Sequence, residues 1–456
     1  MLPAGRVFRS LLLILSLSAA AYAQVDTAWT FRYGPMTGTN YEPLATFVDS
    51  MSASGGVYVV GWAEKQTGEI DALLLKISTS GQYLWAKTYP NMTAWGIAMD
   101  TSGNVYIAGI TNGSTANGSI CVLKYSPNGD TSWTRTYGEQ GLSFTRVGSI
   151  IVGDSQNIYA CGRADSVVRI IKYSLSGTPE GVISYIPSGS RSVGGGQFHM
   201  LRGGGACLAL SGNLAGSRFH HWLVVELSSQ GTVSWERAYR DTNGLDESLD
   251  WSQVDDKGNI YLTGSISEAA EYPQLSFETT KVDSLGNGVW TRTYNGPESL
   301  RDEAHFLMLD HGNVYVAGWS QHVYMGMNGA TALVKYDTLG NQQWARRFGS
   351  EDDSDAGVGY YNEIEGNPDF FPMGADDSGN IYLTGDCVSS SSDVPAIFLK
   401  YGSQGNLIWV RHLGAPDEAW AGAAICTDRT GAIYVIGRRA SDDGKISIFV
   451  VKYRGR

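Results

Sequence analysis

Short runs in which apolar and polar residues alternate recur along this chain, and turns rich in glycine, asparagine and aspartate separate them. Alternation with a period of two is typical of a β-strand that buries one face. The most regular run, Gly-Asn-Val/Ile-Tyr-x-x-Gly, occupies residues 103–109, 258–264, 312–318 and 379–385. Looser copies begin at Gly56, Gln156, Gly205 and Gly431. About eight copies, spaced roughly fifty residues apart, predict a β-propeller in which each repeat forms one blade.

Each repeat carries three further runs, so we predict four strands per blade, named A to D from the centre of the ring outwards. Strand A is rich in small residues, ends in an aspartate and precedes the Gly-Asn turn that leads into strand B. Strand C ends in Lys-Tyr or a variant, as at Lys124 and Tyr125. Strand D has the pattern Trp-x-Arg-x-Tyr, as at residues 133–137, and a period of two places these three side chains on one face.

The two ends of the chain predict how the ring closes. A lone D-type run occupies residues 29–33, and the last C-type run, at residues 449–453, has no D-type run after it. We therefore expect the N-terminal strand to pair with the last blade as its outer strand, which removes two exposed sheet edges. The predicted fold is all-β, with a single propeller domain of about eight four-stranded antiparallel blades over residues 24–456.

The repeat Asp-x-x-Gly-Asn-Val-Tyr-Val-x-Gly, followed by Lys-Tyr and then by Gly-x-x-x-Trp-x-Arg-x-Tyr-Gly, resembles the bacterial β-propeller repeat family known as the seven-bladed β-propeller or SBBP repeat. The resemblance covers nearly all of the chain after residue 23. It implies an extracellular or surface protein, and it brings no catalytic residues. The family name implies seven blades, whereas about eight copies of the repeat occur here.

Residues 1–23 have the features of a secretory signal peptide. Arg6 and Arg9 precede an apolar run at residues 11–17, and small residues at 21–23 suit a cleavage site. The apolar run is too short to cross a bilayer, so we expect no membrane span. The protein is predicted to be secreted, with its final place outside the cell, on the cell surface or in the periplasm. A formal net charge of -12 disfavours nucleic acid as a partner.

The five cysteines lie far apart in different repeats and have neither CxxC nor CxxxH spacing. They are Cys121, Cys161, Cys207, Cys387 and Cys426. An odd, scattered set argues against a disulfide framework and against a zinc site. We interpret most of them as small buried apolar residues.

Antiparallel blades sort their connections onto two faces. The A–B and C–D turns lie on one side, here called the turn face, and the B–C and D–A connections lie on the other, the loop face. The loop-face connections are longer and more variable, so we expect a binding site there. The aromatic candidates for platforms that bind a sugar ring or a peptide are Trp62, Trp95, Trp251, Trp319, Tyr360, Tyr361 and Trp420. For the tryptophans, packing between blades is the alternative.

The longest loop-face connection, residues 349–371, is acidic. Its carboxylates include Glu351, Asp352, Asp353 and Asp355. Clustered carboxylates are Ca²⁺ ligands, and a solvated acidic loop is the alternative. No other cofactor is predicted. The aspartates of the A–B turns are explained by hydrogen bonds to the turn itself, and they are Asp100, Asp255, Asp310, Asp376 and Asp428.

The sequence contains no HExxH, GxSxG or phosphate-binding motif, so the leading hypothesis is a monomeric, non-enzymatic binding or adhesion module. Its partner is then an extracellular glycan, peptide or protein. The alternative is an enzyme with a site in the channel, either a polysaccharide-degrading hydrolase or lyase or a quinoprotein-like dehydrogenase. The spacing at Asp283, Gly286 and Trp290 is similar to the tryptophan-docking motif of quinoprotein dehydrogenases, but those enzymes typically carry an adjacent cysteine pair, and no two cysteines are adjacent here.

Overall fold

The computed structural model folds the chain into eight four-stranded antiparallel sheets. The structure describes residues 27–34, 39–49, 55–111, 118–153, 157–164, 167–186, 193–202, 204–213, 220–239, 247–267, 274–321, 329–349, 372–386, 396–414, 419–441 and 443–454. The predicted signal peptide, residues 1–23, lies outside them. No helix long and apolar enough to cross a bilayer occurs in the part of the chain that the structure describes.

Each blade takes four strands that are consecutive in the chain, except the last. The strands of blades 1 to 4 are β2 (Thr39–Asp49), β3 (Gly56–Lys65), β4 (Ile70–Ser78), β5 (Tyr83–Tyr89), β6 (Met92–Met99), β7 (Val105–Thr111), β8 (Ser119–Tyr125), β9 (Thr131–Tyr137), β10 (Arg146–Val152), β11 (Asn157–Ala164), β12 (Val167–Ser174), β13 (Pro179–Tyr185), β14 (Val193–Met200), β15 (Ala206–Asn213), β16 (His220–Leu227) and β17 (Val233–Tyr239). Those of blades 5 to 8 are β18 (Glu247–Val254), β19 (Ile260–Ser267), β20 (Leu275–Val282), β21 (Gly288–Tyr294), β22 (Asp302–Asp310), β23 (Asn313–Gln321), β24 (Gly329–Asp337), β25 (Gln342–Phe348), β26 (Met373–Ala375), β27 (Ile381–Asp386), β28 (Ala396–Tyr401), β29 (Leu407–Leu413), β30 (Ala419–Thr427), β31 (Ile433–Ala440), β32 (Ile446–Tyr453) and β1 (Thr27–Tyr33).

The hydrophobic core is a set of clusters between neighbouring blades. Strands B and C are buried on both faces, because each blade packs against the blades on either side. One cluster joins blades 2 and 3, and another joins blades 5 and 6. The cluster between blades 8 and 1 contains Tyr434 and Ile448 of blade 8 with Val57 and Leu75 of blade 1. The array therefore closes into a ring, and the predicted eight-bladed propeller is confirmed.

The first strand closes the ring, as predicted. The last sheet has the order β1-β32-β31-β30, so β1 is the outer strand of blade 8. In this pairing Thr30 lies opposite Val451. Trp29 Nε1 and Lys452 Nζ both donate to the Thr79 carbonyl of blade 1, each at 3.1 Å. The two ends of the chain are therefore tied to each other and to the first blade.

The same contact recurs between other blades and explains the repeated tryptophans and lysines. In blade 5, Trp290 Nε1 and Lys281 Nζ both donate to the Thr338 carbonyl in the C–D turn of blade 6, each at 3.1 Å. Arg292 Nε donates to the Gly340 carbonyl of that turn at 2.6 Å. Gly340 has φ +82° and lies so close to Trp290 that a Cβ atom would approach the indole to 2.7 Å. The repeated cations therefore hold blades together.

Blades 3 and 4 depart from this contact where their sequences depart from the repeat. Blade 3 has Ile183 in place of the tryptophan, and its Lys172 pairs with Glu180 at 3.1 Å within the blade. Blade 4 has Glu226 in place of the lysine, and Trp235 Nε1 donates to Glu226 Oε2 at 3.0 Å. Lys172 and Glu226 therefore each have a partner inside their own blade, whereas Ile183 packs against Gly231 of blade 4 as the tryptophans pack against the turn glycine of the next blade.

The repeated aspartates hold the A–B turns, which confirms the turn explanation for four of them. In blade 7, Asp376 Oδ1 accepts the backbone N–H groups of Ser378 and Asn380, each at 3.0 Å, and Oδ2 accepts the Tyr382 hydroxyl at 2.8 Å. Burial acts to raise the pKa of Asp376, but the hydrogen bonds from Asn380 and Tyr382 together outweigh it, so the pKa lies below its usual value. Equivalent bonds are made by Asp100, Asp255 and Asp428.

The cysteines that the structure describes are free thiols inside the blades. Cys121, Cys161 and Cys207 are buried, and Cys426 is partly buried. Burial raises the pKa of the Cys161 thiol to about 12. These four match the interpretation as small apolar residues, whereas Cys387 lies outside the described residues.

Candidate functional site

The inner strands of four consecutive blades enclose a cavity of about 720 Å³ at the turn-face end of the central channel. Blades 3, 4, 5 and 6 contribute strands β10, β14, β18 and β22, and the A–B turns of blades 5 and 6 form its mouth. The lining residues used below are Gln197, His199, Ser252, Asp256, Lys257 and His311. This cavity lies on the face opposite to the one on which the sequence predicted a site.

Side chains of one blade form hydrogen bonds with unpaired backbone groups of the inner strand in the next blade. An inner strand has a sheet partner on one side only, so its outward N–H and C=O groups need other partners. Gln197 Oε1 of blade 4 accepts the backbone N–H of Ser252 in blade 5. Gln253 Oε1 of blade 5 accepts the backbone N–H of Leu309 in blade 6 at 2.9 Å. Side-chain hydrogen bonds therefore join the inner strands of blades 4, 5 and 6 along this part of the channel wall.

Ser252 and His199 form a contact that resembles a nucleophile and its base. His199 Nε2 lies 2.8 Å from Ser252 Oγ, and Ser252 Oγ donates to Gln197 Oε1 at 2.6 Å. An amide oxygen only accepts, so the single hydroxyl proton goes to Gln197, and His199 must donate to the serine. A general base has to accept that proton instead. Burial also lowers the pKa of His199 to about 4, so the ring is neutral at physiological pH.

The mouth of the cavity carries exposed charge. Asp256 and Lys257 lie in the A–B turn of blade 5, and Asp256 Oδ1 is 3.3 Å from a guanidinium nitrogen of Arg202. In blade 6 the turn is one residue shorter, and His311 takes φ 45° within it. His311 Nδ1 lies 2.9 Å from Asp310 Oδ1, and this hydrogen bond raises the pKa of His311. The mouth therefore offers both signs of charge to a ligand.

Three of the five candidate tryptophans are buried. Trp251, Trp319 and Trp420 have 2%, 5% and 4% of their surfaces exposed. The ring of Trp251 packs 5.6 Å from that of Phe306 in the next blade, and that of Trp420 packs 4.6 Å from that of Phe449. Their burial favours the packing alternative for these three, because a buried indole offers no open face to a sugar ring.

Trp62 and Trp95 are partly exposed, so their role as binding platforms stays a prediction. Tyr360 and Tyr361 lie outside the described residues. So do the proposed calcium ligands Glu351, Asp352, Asp353 and Asp355. Among the residues that are described, no group of three or more His, Cys, Asp or Glu side chains is placed to hold a metal ion.

A second cavity, of about 650 Å³, lies between blades 7 and 8. Thr30 and Arg32 of the closing strand line it, together with His412 and Trp420. The Arg32 guanidinium stands 5.1 Å above the centre of the Trp420 ring. This stacking contributes to the attachment of β1, and it explains why Trp420 is covered.

No protein-family model and no curated protein matches this chain. Its fold is similar to the Dos1 propeller, with a TM-score of 0.52 at 8% identity over 91% of this chain and 95% of that chain. The polysaccharide lyase Uly1 gives a TM-score of 0.48 at 9% identity over 79% and 89%. The WD40 domain of SCAP from fission yeast gives 0.47 at 9% identity over 94% and 98%. At such identities the likeness shows the β-propeller fold alone.

Proposed function

We propose that this chain is an exported, non-enzymatic binding module that takes its ligand at the turn-face mouth of the central channel. The observation that carries the proposal is how the polar side chains of the channel are hydrogen-bonded and protonated. The Ser252 proton is committed to Gln197, and His199 is a neutral donor, so this pair supplies no activated nucleophile. The exposed groups at the mouth are the ones left to recognise a ligand.

One carboxylate of the same cavity is committed to its own turn, which counts against its use in the hydrolase alternative. Glycoside hydrolases need carboxylates that are free to face the substrate. Asp255 lines the cavity, but its Oδ1 accepts the N–H groups of Lys257 and Asn259, and its Oδ2 accepts the Asn259 amide and the Tyr261 hydroxyl. This carboxylate supports the turn. Membership of the SBBP family, export from the cell and Ca²⁺ binding also belong to the proposal.

The proposal is tested by screening the chain that follows residue 23 against a glycan array and a random peptide library, and by assaying it on uronate-containing polysaccharides. We expect the chain to bind glycans or peptides in the screens and to leave the polysaccharides uncleaved. Replacing Lys257 and His311 together with alanine should change the affinity for such ligands about fivefold or more, because both side chains are exposed at the mouth.

The matched control is Lys65→Ala, which removes an exposed lysine at the loop-face end of blade 1. It should leave the affinity unchanged. Polysaccharide turnover that disappears in Ser252→Ala would overturn the proposal. Equal affinities for the mouth variant and the wild-type protein would show that the ligand binds elsewhere on the ring.

A further inference from the structure

The C–D turns differ between blades at one exposed position, immediately before the turn glycine. Blades 1 to 7 have equivalent turns, closed in each case by a hydrogen bond from the glycine N–H. The residue before that glycine is polar in five blades, where it is Ser80, Asn128, Ser176, Gln230 or Gln404. In blades 5 and 6 it is Leu285 and Leu339. The apolar exceptions therefore occupy two neighbouring blades.

These leucines contribute little to the fold. Their side chains are 71% and 73% exposed, the largest fractions among the large apolar residues that the structure describes. The turn of blade 5 is held by Asp283 Oδ1, which accepts the N–H groups of Leu285 at 2.9 Å and Asn287 at 2.8 Å. A backbone N–H is available from any residue except proline, so the turn does not require leucine.

The two turns lie side by side on the turn face. Trp290 and Lys281 of blade 5 donate to the Thr338 carbonyl, and Thr338 is the residue directly before Leu339. Thr338 also lines the channel cavity, together with Asp256 and His311. Leu339 therefore borders the mouth that the proposed function uses, and Leu285 lies in the equivalent turn of the neighbouring blade.

Acidic side chains accompany the leucines. The C–D turn begins with Asp283 in blade 5 and Asp337 in blade 6, whereas the other turns begin with Ser78, Ser126, Ser174, Ser228 or Gly402. Hydrogen bonds from Asn287 and Asn341 lower the pKa of these two carboxyl groups, so they are charged at neutral pH. Asp256 adds a third exposed carboxylate, which already pairs with Arg202 at 3.3 Å. The chain as a whole carries a net charge of -12, which favours a cationic partner.

We infer that Leu285, Leu339, Asp256, Asp283 and Asp337, together the leucine sector, bind an extended segment of a partner protein that carries apolar side chains beside lysine or arginine. Aliphatic side chains are covered best by other apolar side chains, and the carboxylates attract the flanking cations. The same carboxylates repel anionic polysaccharides. This inference rests on the proposed function, because it assigns a partner class to the surface beside the channel mouth.

The test is selection of a phage-displayed library of random twelve-residue peptides on the immobilised chain without residues 1–23. We expect the selected peptides to be enriched in leucine, isoleucine, valine or phenylalanine together with lysine or arginine. The tightest of them is then synthesised and titrated by fluorescence anisotropy. Leu285→Ser with Leu339→Ser restores the serine found in blades 1 and 3, and it should weaken binding about tenfold or more. Raising the salt concentration to 0.5 M should also weaken the binding of the peptide to the wild-type protein.

Leu407→Ser is the control, because Leu407 is an exposed leucine on the outer strand of blade 7. It should bind the peptide as the wild-type protein does. The inference is overturned if no peptide is selected, if the selected peptides are acidic or lack apolar residues, or if the double serine variant keeps its affinity. Binding that survives the double serine variant but is lost with Lys257→Ala and His311→Ala would retain the proposed function and reject the leucine sector.

Discussion

Deletion of residues 24–33 is expected to abolish cooperative unfolding of the chain, although it removes only one of the thirty-two strands that the structure describes. Blade 8 would keep three strands, and the edge of β32 would lie open to solvent and to other chains. The cluster between blades 8 and 1 would lose Trp29, Phe31 and Tyr33. Removing one large aromatic side chain from a core costs about 3–5 kcal/mol, and a domain is stable by only about 5–15 kcal/mol.

The measurement is the yield of soluble protein together with its thermal unfolding by near-UV circular dichroism. Deletion of residues 24–26 alone is the control, since β1 begins at Thr27. The control should unfold as the full chain does. A protein without residues 24–33 that unfolds at the same temperature as the full chain would show that β1 does not close the ring.

Trp409→Ala is expected to lower the free energy of unfolding by about 3–5 kcal/mol. Trp409 lies on the outer strand of blade 7 with only 2% of its surface exposed. Its ring packs 4.9 Å from that of Phe398 and 6.4 Å from that of Tyr453, which belongs to blade 8. The substitution therefore leaves a cavity between these two blades. Guanidinium denaturation followed by intrinsic fluorescence gives the change.

Trp235→Ala provides the matched comparison, because Trp235 has the same position in blade 4 but is partly exposed. The indole N–H of Trp235 donates to Glu226 of the same blade instead of to a turn carbonyl of blade 5. We expect Trp235→Ala to lower the free energy of unfolding by less than half as much as Trp409→Ala does. Equal losses in the two variants would mean that burial between blades does not set the contribution of this repeated tryptophan.

The fold was predictable because its signals are local and repeated. The A–B turn motif, the Lys-Tyr end of strand C and the tryptophan of strand D each lie within a few residues, and all of them recur. The closing strand was predictable for the same reason, since residues 29–33 match strand D without the strands that precede it in other repeats. Repetition thus supplied the long-range pairing of β1 with β32 that a single strand pattern does not contain.

The channel site was not predictable, because no motif marks its residues. Gln197, His199 and Ser252 come from two blades and meet only when the ring forms. The sequence also did not decide between platforms and packing for the tryptophans, for a related reason. Trp251 and Trp420 are covered by rings and cations of neighbouring strands, and sequence does not reveal that cover. The shortened turn at Asp310 was visible as Asp-His-Gly-Asn and was a signal that the mouth is asymmetric.

The leucine sector shows what an alignment of the repeats adds. Leu285 and Leu339 appear unremarkable in the linear sequence, since each follows a turn residue and precedes glycine. Only the comparison with Ser80, Asn128 and Gln404 at the same position shows that two neighbouring blades differ. Function in a ring of equivalent units needs such a difference, because identical units offer the same surface in every direction.

The central claim, that the first strand completes the last blade, is tested most directly by a disulfide between them. Thr30 lies opposite Val451, and antiparallel partners have Cα atoms about 4.5–5.5 Å apart, which suits a disulfide. Mild oxidation of the Thr30→Cys, Val451→Cys protein in dilute solution should link the two tryptic peptides within one chain, as read by mass spectrometry. The Thr30→Cys, Val450→Cys protein, whose second cysteine points to the other face, should not link. Introduced thiols that stay reduced at both positions of the first protein, or that link only between chains, would contradict the closed ring.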